Sequence, residues 1–300
     1  MQEMHKMKEE LNKVELHKED YNYEPFADTE EYKRVNSECI NSWIEIMKQK
    51  GVNGLEGVLD VATGAGTMVQ LVFDSLPESW KKTAVLCLDQ SSEALKLAQS
   101  KLEKTVEKLK LVHSSIEDMT IPDQSVDIAV WGNGIHYLSA DDQLDCVKRI
   151  RRALKPGGLL FFNTAFYEEA RPAETLPFYR TQVKTAVQYM RDHGIKREKT
   201  DIKTEAAKFL PRAYYESLVE EAGFKLVDAK EFAVDMHKEA WEYISAFQQY
   251  AAGALRGYPI DDAVNAMRDS VGPAIELHGN RDQDGEPYIT RKWLAISAQA

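Results

Sequence analysis

The residues best placed to do chemistry stand around a glycine turn. Val58-Leu59-Asp60-Val61-Ala62-Thr63-Gly64-Ala65-Gly66-Thr67 reads as a buried strand, a turn and the start of a helix. Glycines at such a turn let a ligand approach the backbone, and the helix that follows presents free N–H groups. Three details narrow the ligand. Asp60 precedes the turn, where a carboxylate repels a pyrophosphate but suits an ammonium group. Val69 stands where the dinucleotide fingerprint Gly-x-Gly-x-x-Gly requires its third glycine. Asp89 ends the next apolar run, a place from which a carboxylate accepts hydrogen bonds from two ribose hydroxyls. The pattern describes a nucleoside with a ribose to hold and a cationic, non-phosphate tail.

A second group of reactive residues lies downstream. His136 follows an apolar run, Val126–Trp131, at the sheet edge where α/β proteins bind ligands. A neutral imidazole there takes a proton from an acceptor hydroxyl or, equally in keeping with its place, packs against the ligand. His113 ends the run before it. Phe166-Tyr167-Glu168-Glu169 follows the next apolar run, with Glu174, Phe178 and Tyr179 beyond. Carboxylates beside aromatic rings suit a general base or a stabiliser of developing positive charge, and they also suit a solvated first turn. Trp241, Tyr243, Phe247, Tyr250 and Tyr258 either line an acceptor pocket or form the core of their own segment. Cys39, Cys87 and Cys146 form no Cys-x-x-Cys pair, so no metal site is expected.

These residues need a scaffold. From Val58 to about Thr164, apolar runs at 58–62, 84–88, 109–113, 126–131 and 159–163 alternate with amphipathic stretches at 67–76, 91–103 and 141–154. Apolar strands alternating with helices predict a mostly parallel sheet of the Rossmann-like α/β class, covered on both faces. Later strands at 224–235 and 288–297 bring the expected count to seven. Lys155-Pro156-Gly157-Gly158 reads as a helix-ending turn. The chain divides into a helical extension at 1–50, a core at 51–164, a helical cap insertion at 165–212, and a core helix and strand at 213–236. A second helical insertion at 237–280 and a last core strand at 281–300 complete it. Residues 1–25, dense in Lys, Glu and His, read as a solvated helix or frayed tail.

Several ordered stretches resemble the class I S-adenosylmethionine-dependent methyltransferases, in their small-molecule, quinone-biosynthesis-like branch. They are Asp60 to Thr67, Leu88-Asp89-Gln90-Ser91, the run from Ile116 to Asp127, Trp131-Gly132-Asn133-Gly134-Ile135-His136-Tyr137, and Leu154-Lys155-Pro156-Gly157-Gly158. The resemblance implies S-adenosylmethionine as cofactor. Asp60, Ala62 and the backbone around Gly64 and Gly66 would hold its methionine moiety, and Asp89 its ribose. Gln90 would flank the adenine, Ser115, Ile116 and Glu117 would border its edge, and Gly132 and Asn133 would face the amino group. Ala62 departs from the family's first glycine, and Ser115 from the acid often found at the adenine edge.

The expected function is methyl transfer to an oxygen or carbon of a small, largely apolar molecule. His136, Glu168 and Glu169 are the candidate catalytic groups, and Tyr137, Phe166, Tyr167, Tyr179 and Trp241 the candidate acceptor-binding ones. The alternatives are an NAD(P)-dependent oxidoreductase and a catalytically inactive cofactor-binding scaffold. With 38 basic against 49 acidic residues the net charge is −11, which repels phosphate backbones and argues against a nucleic-acid partner. No run approaches the roughly 18 apolar residues of a membrane span, so a cytoplasmic monomer or homodimer is expected.

Overall fold

The computed structural model describes residues 23–199 and 204–300. The stretch read as a solvated tail lies, up to residue 22, outside the described residues. A helical turn, α1 (Glu24–Ala27), leads into α2 (Glu30–Gln49), whose Thr29 cap accepts the Tyr32 N–H. The Rossmann-like part follows as β1 (Gly57–Val61), α3 (Thr67–Ser75), β2 (Ala84–Asp89), α4 (Ser92–Leu102), β3 (Lys108–His113), β4 (Val126–Gly132), α5 (Ala140–Ala153) and β5 (Leu154–Thr164). Ser91 and Ser139 cap α4 and α5 by accepting N–H bonds from Ala94 and Asp142. Beyond β5 come α6 (Leu176–Asp192), α7 (Arg212–Glu221), β6 (Lys225–His237), α8 (Lys238–Ala246), α9 (Gln248–Ala254), α10 (Ile260–Asp269), α11 (Val271–His278), β7 (Asn280–Arg281) and β8 (Pro287–Gln299).

The strands form one sheet in the order β3-β2-β1-β4-β5-β8-β6, with β7 paired to β8. Pairing is parallel from β3 through β5 and antiparallel around β8. The strand order turns back at β1 and β4, so their carboxyl ends open the crevice where such sheets take ligands. Eight strands among the described residues replace the seven expected. The extra one is a two-residue piece: Gly279 closes α11, and Asp282 accepts N–H bonds from Asp284 and Glu286 to turn the chain back into β8.

Side-chain alternation sends each strand's residues to two different cores. Val58, Val130, Phe161 and Trp293 pack with α2, α3, α4 and the cap, whereas Leu59, Trp131, Phe162 and Leu294 pack with α5 and α7. The cap has a small core of its own, built from Ala186, Met190, Ala251, Leu255, Ala263 and Met267.

Two local expectations change. The 165–212 segment carries one long helix, α6, which ends where Gly194 takes a left-handed φ of +68°. The Lys- and Arg-rich residues 196–199 lack an apolar period and form no helix. The later insertion is helical, as four short helices broken at Phe247, Pro259 and Ser270. Lys155-Pro156-Gly157-Gly158 lies inside β5, not in a turn, with Gly157 at φ +80° and a register shift against β4. Lys155 is held there by Asp127, whose other oxygen accepts the Glu56 and Gly57 N–H groups, so Asp127 ties strands together. Among the described residues no helix is long and apolar enough to cross a membrane.

Candidate cofactor and acceptor site

The turn after β1 is tied to its neighbours through the backbone. Thr63 N–H donates to the Leu88 carbonyl at 3.0 Å, and Gly66 N–H to the Thr63 carbonyl at 3.0 Å. Gly64 and Gly66 have φ of +55° and +84°, and a Cβ on Gly66 would stand 2.9 Å from Leu102 Cδ1 on α4. Ala62 takes φ +51° with an exposed side chain, a conformation that costs a non-glycine residue roughly 1 kcal/mol. Ala62→Gly is therefore expected to stabilise the fold by about 0.5–1 kcal/mol, a rise of a few degrees in Tm. Thermal denaturation checks this, and a fall in Tm would show that the methyl group contributes packing.

Two carboxylates flank this turn. Asp60 is 1% exposed and its Oδ2 has no hydrogen-bond partner. Burial pushes its carboxyl up to about 7, the Asp89 charge adds to the rise, and Thr63 opposes it. Asp89 accepts the Gly64 N–H on Oδ2 at 2.8 Å and the Ser91 N–H on Oδ1 at 2.8 Å. Burial raises its carboxyl as well, against the pull of those N–H groups. Each carboxylate oxygen has a further lone pair for a ligand hydroxyl.

The other cofactor candidates sit around the same edge, with different degrees of freedom. Gln90 is exposed, and its carbonyl accepts a bond from His113 Nε2 at 2.9 Å, which fixes the proton on that nitrogen. Ser115 Oγ is engaged with its own loop, accepting the Asp118 N–H and donating to Asp118 Oδ2. Ile116 is buried and Glu117 half-buried. Gly132 has no room for a side chain, since a Cβ would lie 2.3 Å from Met68 Cγ. Asn133, at φ +47°, accepts the Ala165 N–H on its side-chain oxygen at 2.8 Å and donates to Tyr23 Oη at 2.7 Å. Its side chain joins the ends of β4 and β5 to the N-terminal segment.

Next to that junction the sheet edge meets the cap in a group of rings. His136 is buried, stacked on Phe166 with centroids 4.1 Å apart, and its Nδ1 meets Thr164 Oγ1 at 2.9 Å. Its Nε2 is buried without a partner. Burial, assisted by Arg291, pushes the imidazole well below its usual range and keeps it neutral. Tyr137 and Phe247 continue the group from Phe166 to Tyr23. Tyr179 and Trp241 pack edge-on at 5.5 Å. Thus His136, Tyr137, Phe166, Tyr179 and Trp241 come together, all on the cap side.

Tyr167, Glu168 and Glu169 do not join them. Neighbours on an extended chain point to opposite faces, so Tyr167 goes to the other core and donates to Glu231 at 2.8 Å. Glu168 and Glu169 are exposed, and Glu169 accepts the Arg212 N–H at the start of α7. Sequence reasoning missed Tyr23, Arg171 and Arg291. Arg291 had a signal: it sits between Ile289 and Trp293 in the inward phase of a strand, where an apolar residue is the rule.

The strand order, the glycine turn and the carboxylates beside it are those of a Rossmann-like α/β fold with a ligand crevice at β1 and β4. Residues 58–158 match the family model of a methyltransferase domain. Over 135 residues the chain is 28% identical to a demethylmenaquinone methyltransferase of Staphylococcus aureus, which covers 45% of this chain and 51% of that protein. The chain thus spans about half the length of the curated relatives it matches. Its fold resembles that of the YcgJ protein from Bacillus subtilis, with TM-score 0.53, 15% identity, and coverage of 86% of this chain and 97% of that one. A SAM-dependent methyltransferase from Aquifex aeolicus aligns with TM-score 0.50 and 15% identity over 94% and 99% of the two chains. The residues present suit the family's cofactor, because the buried Asp60 oxygen lacks a donor and the Asp89 oxygens keep acceptor capacity.

Proposed function

We propose that this chain transfers a methyl group from S-adenosylmethionine to an oxygen or carbon of a small, largely apolar molecule. The observation that carries the reading is the partnerless Asp60 oxygen beside the glycine turn, a buried negative charge that a ligand ammonium would neutralise. Asp60 and the backbone at Ala62, Gly64 and Gly66 would hold the methionine moiety, and Asp89 the ribose. Gln90 would flank the adenine, with Ser115, Ile116 and Glu117 at its edge, and the backbone of Gly132 and Asn133 would face the amino group. The sulfonium of the bound cofactor supplies an already activated methyl group. What remains for the protein is to orient the acceptor and exclude water.

The aromatic group under the cap suits that work, with the insertions 165–212 and 237–280 closing over the core 51–164. His136, neutral and with a free Nε2, is the candidate to take a proton from an acceptor hydroxyl. Glu168 and Glu169, exposed as they are, contribute no base in this reading. The relative's name gives it a quinone acceptor, demethylmenaquinone, and a small apolar acceptor here agrees with that precedent. A place in the cytoplasm and the acidic net charge of −11 go with a small-molecule rather than a nucleic-acid substrate.

Calorimetry with S-adenosylmethionine, S-adenosylhomocysteine and NAD tests the cofactor. Micromolar binding of the two sulfur compounds and none of NAD is expected, and the converse sinks the reading. A labelled-methyl transfer screen over lipid, quinone, polyketide and isoprenoid acceptors then tests turnover. Tight cofactor binding with no transfer to any of them leaves a binding scaffold instead.

A further inference from the structure

Two guanidinium groups meet under the cap, and no carboxylate among the described residues pairs with either. Arg291, 3% exposed, stands on the cap-facing side of β8. Its Nε and Nη2 donate to the Ala165 carbonyl at 3.1 and 2.5 Å, and its Nη1 reaches Tyr179 Oη only at 3.5 Å. The rings of Phe166 and Trp241 lie 4.9 and 5.8 Å from it. Arg171 approaches the same Tyr179 from the ring face at 5.5 Å and lies 4.0 Å from the Phe209 centroid. Its Nε is buried with no acceptor, as is Trp241 Nε1.

Buried cations are ordinarily paired, because an apolar surrounding strengthens their mutual repulsion and strips their hydration. Here a buried guanidinium, Arg291, and a half-buried one, Arg171, share Tyr179, with the Tyr250 hydroxyl as a further neutral partner of Arg291 and no negative charge to answer either. A planar carboxylate answers the fork of a guanidinium with two parallel bonds. Lys208, which lines a small hollow with His136, Phe166 and Phe209, is already paired with Glu205, so few donors are at hand for the third oxygen of a phosphate. The position is on the acceptor side: Arg291 grips Ala165, whose N–H is bound by Asn133 at the end of β4. Arg171, Arg291 and Trp241 all lie outside residues 58–158, so the match to the family model does not extend to them.

We propose that the acceptor is a small aromatic or apolar molecule bearing a carboxylate, which Arg291 and Arg171 hold beneath the cap. This rests on the methyltransferase reading above and deepens it. The test titrates the full chain, saturated with S-adenosylhomocysteine, with benzoate, cinnamate and decanoate, each beside its methyl ester. Calorimetry and thermal shift are the readouts. At least one acid should bind and raise Tm, with its ester about tenfold weaker or more. Arg291→Met and Arg171→Gln should each erase the preference for acid over ester while leaving S-adenosylhomocysteine binding unchanged. Arg171 makes no described hydrogen bond, so its variant keeps the test open if Arg291→Met fails to fold. A merely structural arginine would shift Tm and leave the acid–ester preference intact. Esters binding as well as acids, no acid binding at all, or cinnamyl phosphate binding where no acid does, each overturns the inference while S-adenosylhomocysteine binding keeps the methyltransferase reading. Loss of S-adenosylhomocysteine binding in the unmodified chain overturns both.

Discussion

Replacing Asp89 by alanine is expected to weaken S-adenosylhomocysteine binding by about a hundredfold or more and to lower Tm by several degrees. The affinity follows from two charge-assisted bonds to ribose hydroxyls, each worth about 1.5–3 kcal/mol when the acceptor is ionised. The stability effect comes from the protein itself. Asp89 accepts the N–H of Gly64 in the glycine turn and that of Ser91 at the start of α4. Without the carboxylate both donors lose their partner next to the buried turn, at about 1–3 kcal/mol for each that water cannot reach. Asp89→Asn keeps one acceptor oxygen but turns an amide N–H toward a donor, so it should fall between wild type and alanine in both measurements. Calorimetry reads the first effect and thermal denaturation the second. Unchanged affinity would put the ribose elsewhere, whereas lost affinity with an unaltered Tm would deny the carboxylate its part in holding the turn.

That dual role shows where the sequence was readable. An acid closing an apolar strand is out of place in a core, so Asp60 and Asp89 declared themselves by type and position. Most strands and helices of residues 58–164 were legible because the central parallel strands are largely apolar and α4 and α5 carry serine caps. What the sequence hid were contacts between distant segments. Asn133 looked like a ligand group, yet its side chain is taken up by Ala165 and Tyr23, the latter 110 positions away. Phe166 and Tyr167 looked like one aromatic pair, and the alternation of an extended chain parts them to opposite faces.

The cap was least legible. Its helices are short and end at Phe247, Pro259 and Ser270, and a continuous amphipathic pattern conceals such breaks. The strand through Lys155-Pro156-Gly157-Gly158 depends on Asp127 and Lys155 pairing across β4 and β5. Local turn chemistry pointed the other way. Arg291 was visible in principle, as a charge in the inward phase of an otherwise apolar strand. Its meaning came only when Arg171, far off in the chain, arrived beside the same Tyr179.

Asp60 should make both stability and cofactor binding depend on pH. The unfolded carboxyl titrates near 3.8 and the folded one at about 7. Across that window the folded chain binds more protons than the unfolded one, so stability falls as pH rises from about 4 to 7. The shift corresponds to about 4 kcal/mol of penalty for the ionised form, an order-of-magnitude figure. Asp60→Asn removes the charge but leaves a buried amide in need of partners, at about 1–3 kcal/mol. The variant should therefore be more stable than wild type at pH 8, by about 2 kcal/mol, and lose that advantage toward pH 4. Denaturant unfolding across this range measures the gap. Binding should run the other way. A ligand ammonium beside Oδ2 favours the ionised carboxylate, so S-adenosylhomocysteine should expel close to one proton from Asp60 at pH 6. Calorimetry in buffers of different ionisation enthalpy counts that proton, and Asp60→Asn should bind far more weakly and release none. Asp89, Cys87 and Thr63 are the groups that face Asp60, and all remain in the variant. Any release that survives the substitution belongs to them, and an undiminished release would leave Asp60 without the ammonium contact.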